Sequence, residues 1–203
     1  LARPEAGREK RVMYEDGIDI MLTLDVSSSI ELNDLDIGER SRLAVAKEVV
    51  SDFVGGRYSD RIGMVVFAGE SFTQCPLTLD YDVLTSFLQG VQIADESWDG
   101  TAIGMGLATS VNRLKESKAK SKVIILLTDG VNNSGFIDPS TAAYLAANYG
   151  IKTYTIGLGS NANALAPIAL NPDGSFRFGM TKVEIDEELL ESIASKTGGL
   201  YFR

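Results

Sequence analysis

GIDIMLTLDVSSSI, residues 17–30, reads as a buried strand that runs straight into a cluster of oxygen donors. From Ile18 to Leu24 the side chains are apolar except for Asp19 and Thr23, the nearly continuous pattern of a parallel strand covered on both faces by helices. Beyond them Asp25, Ser27 and Ser29 stand at alternate positions, which puts the three on one side of an extended segment. Ligands of open α/β sheets gather outside the carboxyl ends of strands, where strand order reverses. The stretch therefore predicts a fold class and a binding loop together.

Working outward, Ile62 to Phe67, Val123 to Leu127 and Lys152 to Leu158 read as further strands, with Gly199 to Phe202 as a last one. Between them the period becomes helical. Leu43, Ala46, Val50 and Phe53 share one face of a segment ending at Gly55-Gly56, and Ile103, Leu107, Val111 and Leu114 repeat the pattern. Asp80 to Val91, Pro139 to Tyr149 and Asp186 to Lys196 complete the helices, the last with Asp186 as N-cap and Gly198 just past its end. This alternation predicts a doubly wound α/β fold with a mainly parallel sheet and helices on both faces. Residues 71–76 follow the Gly69 turn too closely for a parallel crossover, so they are expected as a short antiparallel edge strand. The turn signal Asn171-Pro172-Asp173-Gly174 predicts a hairpin insertion near 169–178, and residues 1–17 read as a lead-in arm before a single domain over 18–203.

Composition narrows the chemistry. The 203 residues are 44% apolar and 23% charged, an ordinary globular balance, and no apolar run approaches a membrane span. A net charge of −9 repels phosphate backbones and argues against a nucleic-acid partner. There is no histidine, which removes Ser-His-Asp and Cys-His nucleophiles, and the single cysteine, Cys75, cannot form an internal disulfide. The chain opens at Leu1 with no secretion signal, so it is expected to be a soluble mature or excised fragment.

Two other segments supply oxygen donors at element ends: Asp99-Gly100-Thr101 before the third major helix, and Thr128-Asp129-Gly130 closing a strand. Asp25 and Asp129 would bring two negative charges, with Ser27, Ser29 and Thr101 as neutral oxygens, a set suited to a hard cation. Mg2+ ranks first, Mn2+ next and Ca2+ third. Thr101 has a competing reading as a helix N-cap. Asp99 is expected in a supporting role or simply solvated. The acidic tract Glu31 to Glu39 and Asp95, Glu96 and Asp99 would form a rim, on which Trp98 is either a contact anchor or a core side chain.

Asp-x-Ser-x-Ser followed by Gly-Thr and Thr-Asp-Gly resembles the metal-ion-dependent adhesion site of von Willebrand factor A (VWA) domains. The stretches GIDIMLTLDVSSSI, DRIGMVVFAGESFTQCPLTLDY, GTAIGMGLATSVNRL and SKVIILLTDGVNNSG resemble more narrowly the bacterial aerotolerance (Bat) proteins, particularly the BatA branch. The resemblance implies a six-stranded sheet, a cation held by Asp25, Ser27, Ser29, Thr101 and Asp129, no catalytic turnover, and a protein partner supplying an Asp or Glu carboxylate. It also implies inner-membrane anchors outside this segment with the domain in the periplasm, other Bat proteins as partners, and a link to MoxR-type AAA+ ATPases. The chain departs from the family pattern at Ser28, usually glycine, and at Ile30, often methionine. Two competing functions are a metal-free interaction scaffold and a magnesium-dependent phosphohydrolase of the haloacid dehalogenase type. The latter motif needs a second aspartate where this chain has Ser27.

Overall fold

In a computed structural model, residues 17–31, 41–159, 163–170, 176–182 and 185–203 are described. Strand β1 (Asp19–Asp25) lies at the centre of a six-stranded sheet, and all seven of its residues are buried. Its neighbours are β2 (Arg61–Phe67) on one side and β4 (Lys122–Thr128) on the other, both parallel to it. Outside β2 lies β3 (Ser71–Thr78), and outside β4 lie β5 (Ile151–Gly157) and the short β8 (Tyr201–Phe202), giving the order β3-β2-β1-β4-β5-β8. Only β3 runs antiparallel within this sheet. It is an edge strand as expected, but eight residues long rather than short, because its register slips past Gly63 and pairing then continues to Thr78.

Helices cover both faces. α1 (Arg42–Gly55) and α2 (Tyr81–Gln89) pack with the Ile20, Leu22 and Leu24 side of β1. α3 (Ile103–Leu114), α4 (Pro139–Asn148) and α5 (Glu187–Thr197) pack with the Met21 side. The period of two along β1 thus divides its side chains between two apolar layers, and Thr23, on the α3 side, meets the buried Ser110 hydroxyl at 2.7 Å. α3 approaches closely because Gly104 and Gly106 carry no Cβ: one at Gly104 would come within 1.9 Å of the Ile137 carbonyl oxygen. Caps close the helices as the sequence suggests: Ser41, Asp80, Asp138 and Asp186 each accept a first-turn N–H, and Gly198 ends α5 at φ +72°.

A separate antiparallel pair, β6 (Asn163–Leu170) and β7 (Phe176–Lys182), precedes α5, with Leu170 opposite Phe176. The expected arm over 1–17 and the Asn171-Pro172-Asp173-Gly174 turn lie outside the described residues, Gly17 excepted. No helix among the described residues is long and apolar enough to cross a membrane.

The strand order fixes where a ligand can sit. β1 connects through α1 to β2 on one side, while β4, reached after α3, lies on its other side. The reversal falls between β1 and β4, whose carboxyl ends carry Asp25 and Thr128.

Candidate metal centre

Asp25 ends β1 fully buried, and the chain turns over it at once. Its Oδ1 accepts the Ser27 N–H at 2.9 Å and the Ser27 hydroxyl at 2.6 Å, so the carboxylate organises the loop that follows. Ser28 opens a 3-10 turn (Ser28–Glu31), which brings Ser29 back beside Ser27 with their hydroxyl oxygens 3.1 Å apart. Ser29 Oγ then donates to Asp129 Oδ1 at 2.8 Å, closing a continuous path of oxygens from β1 to the residue after β4. On the inner side the Thr128 hydroxyl donates to Asp25 Oδ2 at 2.5 Å.

Thr101 arrives from a third loop. The backbone N–H of Ala102 donates to Ala68 O at 2.7 Å and that of Gly69 to Trp98 O at 2.8 Å, which pins residues 98–102 against the end of β2. Asn133 grips Thr101 from the other side: its Oδ1 accepts the Thr101 N–H at 2.8 Å and its own N–H donates to Thr101 O at 3.0 Å. The Thr101 side chain is buried over Gly130, where a Cβ would sit 3.0 Å from Oγ1. Thr101 therefore borders Asp129 through its neighbour. Thr101 does not cap α3, against the competing reading of its sequence: Ala102 is the N-cap and makes no side-chain cap hydrogen bond.

The rim residues separate. Asp99 Oδ1 accepts the Ser28 N–H at 2.9 Å, so this acid supports the serine loop from behind; burial pushes its carboxyl up, but the hydrogen bonds from Ser28 and Gly100 hold it below the usual carboxylate range. Trp98 is partly buried and meets Phe72 edge-on at 5.4 Å between centroids, packed against the α1 and α2 layer. Glu31 closes the 3-10 turn, and the acidic tract beyond it lies outside the described residues.

Electrostatically the centre is frustrated. Burial lifts the Asp25 carboxyl to about 7, with the charge of Asp129 adding to the rise and hydrogen bonds from Ser27 and Thr128 opposing it. Asp129 is also raised by burial, against the Arg42 guanidinium, which hydrogen-bonds and attracts it. Arg42 Nη1 lies 2.7 Å from Asp129 Oδ2, with both side chains fully buried. Among the described residues, two ionised carboxylates here exceed the one guanidinium beside them, the condition a divalent ion would relieve.

The donor set fits such an ion. Neighbouring oxygens of an octahedral shell with bonds of about 2.1 Å lie roughly 3 Å apart, and the path Asp25–Ser27–Ser29–Asp129 has steps of 2.6, 3.1 and 2.8 Å. Among the described residues no three His, Cys, Asp or Glu side chains converge, so hydroxyls have to complete any shell. Cys75 lies within β3 and is no part of it.

Arg42 and Asn133 carry no mark in the sequence motifs, and Thr128 enters there only as part of the Thr128-Asp129-Gly130 segment. Arg42 did leave a signal. It occupies the first position of α1, where the positive end of the helix dipole disfavours a cation, so a tertiary partner has to hold it there.

Comparison with known proteins agrees with this fold. Two solved structures share 31% identity and a TM-score of 0.77 over 92% of this chain: an aerotolerance-related membrane protein from Bacteroides fragilis, bearing multiple mutations to serines, of which 91% is covered, and the conserved hypothetical protein BatB from Bacteroides thetaiotaomicron, of which 90% is covered. Proximal thread matrix protein 1 of the mussel byssus, with a zinc-occupied MIDAS motif, aligns over 92% of this chain and 41% of its own with a TM-score of 0.63; at 22% identity it shows the shared fold alone. An uncharacterized protein of Borreliella burgdorferi is 33% identical over 202 residues, and the chain spans 58% of that relative's length. Residues 19–203 match the model of the von Willebrand factor type A domain, and the chain belongs to that family, whose members serve as protein-interaction modules.

Proposed function

We propose that this domain binds a protein partner through a divalent cation held by Asp25, Ser27, Ser29, Thr101 and Asp129. The observation that carries the reading is the unbroken path of oxygens joining two buried aspartates across the strand-order reversal. Mg2+ is the ion such hard, largely neutral donors suit best, with Mn2+ and then Ca2+ behind it. The zinc in the mussel protein's MIDAS motif supports a divalent ion at this place in the fold. A carboxylate from the partner's Asp or Glu completes the shell, and surrounding surface contacts supply the rest of the affinity.

No turnover is assigned. A phosphohydrolase of the haloacid dehalogenase type needs an acid at position 27, and here the Ser27 hydroxyl donates to Asp25 instead. The likeness to aerotolerance-related proteins supports a role in a membrane-associated bacterial complex concerned with stress or oxygen tolerance. Other Bat proteins and a MoxR-type AAA+ ATPase are its proposed partners. The membrane anchors lie outside this segment and the domain faces the periplasm.

Titration with Mg2+ and Mn2+, followed by partner capture with and without chelator, tests the proposal. Wild type should bind the ion and Asp25→Ala should not, while both keep the same circular dichroism; capture should vanish in chelator. One observation favours a metal-free scaffold: Arg42 already gives Asp129 a cation. Capture that persists in chelator, and in Asp25→Ala, would select that second reading.

A further inference from the structure

We infer that Arg42 is a built-in counter-cation of the metal centre, a positioning residue that lets the two buried aspartates fold without metal, weakens metal binding, and leaves the loaded centre positive toward an anionic partner. This rests on the metal-dependent reading above and says how that site is regulated.

The guanidinium is seated by construction. Arg42 is fully buried, and a buried cation is tolerated only with a paired and hydrogen-bonded partner, here Asp129 at 2.7 Å. Its place at the start of α1 opposes the helix dipole, so local helix chemistry does not account for it. The loop after β5 is cut away beneath it: Gly159 has φ +130°, and a Cβ there would lie 2.8 Å from Nη2 and 2.9 Å from Cζ of Arg42. A Cβ at position 159 would collide with the guanidinium on this seat, so one of the two would have to shift.

The consequence for Asp129 is a division of its two oxygens. Oδ2 takes the Arg42 hydrogen bond and Oδ1 takes the Ser29 hydroxyl, so Asp129 offers the cage side one oxygen. A carboxylate held this way cannot swing to grip an ion with both oxygens. Charge follows the same logic: with Asp25 and Asp129 ionised, Arg42 brings their sum from two negative charges to one. Counted over Asp25, Asp129 and Arg42, adding a dication then leaves one net positive charge, whereas the two aspartates and the dication by themselves would be neutral. An incoming carboxylate meets a positive centre, while the ion itself is repelled by the fixed guanidinium nearby.

The test uses the 203-residue chain stripped of metal, with Mn2+ binding read from the electron paramagnetic resonance signal of the free ion at neutral pH. Wild type, Arg42→Gln, Arg42→Lys and Asp25→Ala are compared. Arg42→Gln should bind Mn2+ about tenfold more tightly than wild type, melt lower without metal and recover with it. Arg42→Lys, which keeps the charge, should stay near wild type. A folded Arg42→Gln binding no tighter than wild type overturns the inference and leaves the metal-dependent reading standing. Arg42→Lys behaving like Arg42→Gln also overturns it, by assigning the effect to shape rather than charge. Should Arg42→Gln unfold without metal, refolding in Mn2+ supports the inference, and failure to refold at a concentration that saturates wild type sinks it. No Mn2+ binding by wild type, Asp25→Ala or either Arg42 variant would remove the metal reading and this inference with it.

Discussion

Gly130→Ala probes the meeting of Thr101 and Asp129 with a single methyl group. Gly130 is not among the glycines of positive φ, so its backbone accepts alanine without strain. The new Cβ would lie 3.0 Å from Thr101 Oγ1 and 3.1 Å from its Cγ2, a few tenths of an ångström inside the roughly 3.5 Å at which such atoms rest. Thr101 cannot retreat as a unit. Its N–H is held by Asn133 Oδ1 at 2.8 Å, and its carbonyl accepts N–H groups from Asn133 at 3.0 Å and Ser134 at 3.3 Å. Relief has to come from rotating the Thr101 side chain or shifting the 129–130 loop. Either moves a proposed ligand by more than the tolerance of about 0.2 Å for metal–ligand distances.

Two magnitudes follow. Overpacking costs about 1–3 kcal/mol, and the lower end applies because the contacts are side-chain atoms that can turn, so the melting temperature should fall by roughly 2–4 °C without metal. Weakening one neutral ligand by about 1.4 kcal/mol costs the ion about tenfold in affinity. Calorimetric Mn2+ titration beside a thermal melt reads both. A variant that melts like wild type and binds Mn2+ with unchanged affinity refutes the juxtaposition on which the cage depends.

Gly104→Ala should be far more damaging, by upward of about 3 kcal/mol, because its Cβ would come within 1.9 Å of a backbone oxygen, Ile137 O, and force α3 from the start of α4; urea denaturation showing no loss would contradict that approach. Asp25, raised to about 7 by burial and by Asp129, sets a pH dependence. Its native pKa lies above its unfolded value, so the native state holds the extra proton between about pH 4 and 7, and stability from this group falls as pH rises through that window. Metal-free wild type should therefore gain stability on acidification relative to Asp25→Asn, and Mn2+, which needs the carboxylate, should stabilise more as pH rises; the opposite slopes in urea titrations would sink the assignment. Cys75 is buried, and burial pushes its thiol up, so thiol reagents should label it only as fast as the domain opens; labelling at the rate of a free thiol would place it wrongly.

The succession of strands and helices was legible because most strands and helices bury both or one of their faces, and such burial writes a period into the chain. In β1 the apolar residues Ile20, Met21, Leu22 and Leu24 carry that signal, while the burial of Asp19, Thr23 and Asp25 does not show in their polarity. The extent of β3 was not, since Pro76 and the polar Thr73 and Gln74 lack an apolar period, and its pairing to Thr78 depends on a register slip opposite Gly63. Asp25, Ser27 and Ser29 were legible as neighbours along one loop. That Thr101 and Asp129 come near them depends on which strands adjoin, a property of topology rather than of any local run.

Arg42 shows why local reading stops where it does. Arg40 and Arg42 flank Ser41 and look alike by charge and spacing. Ser41 caps α1 through its hydroxyl, accepting the Ala44 N–H at 3.2 Å, and this sets the helix so that Arg42 begins it. From that position its side chain reaches Asp129, 87 residues away in sequence. A cation at a helix N-terminus is a local conflict, and local conflicts that persist in a folded chain are resolved by distant partners. Here the partner is one of the two acids that the loops beyond the sheet bring together, so the residue that composition disguises as a surface charge is the one that decides how that pair of acids is balanced.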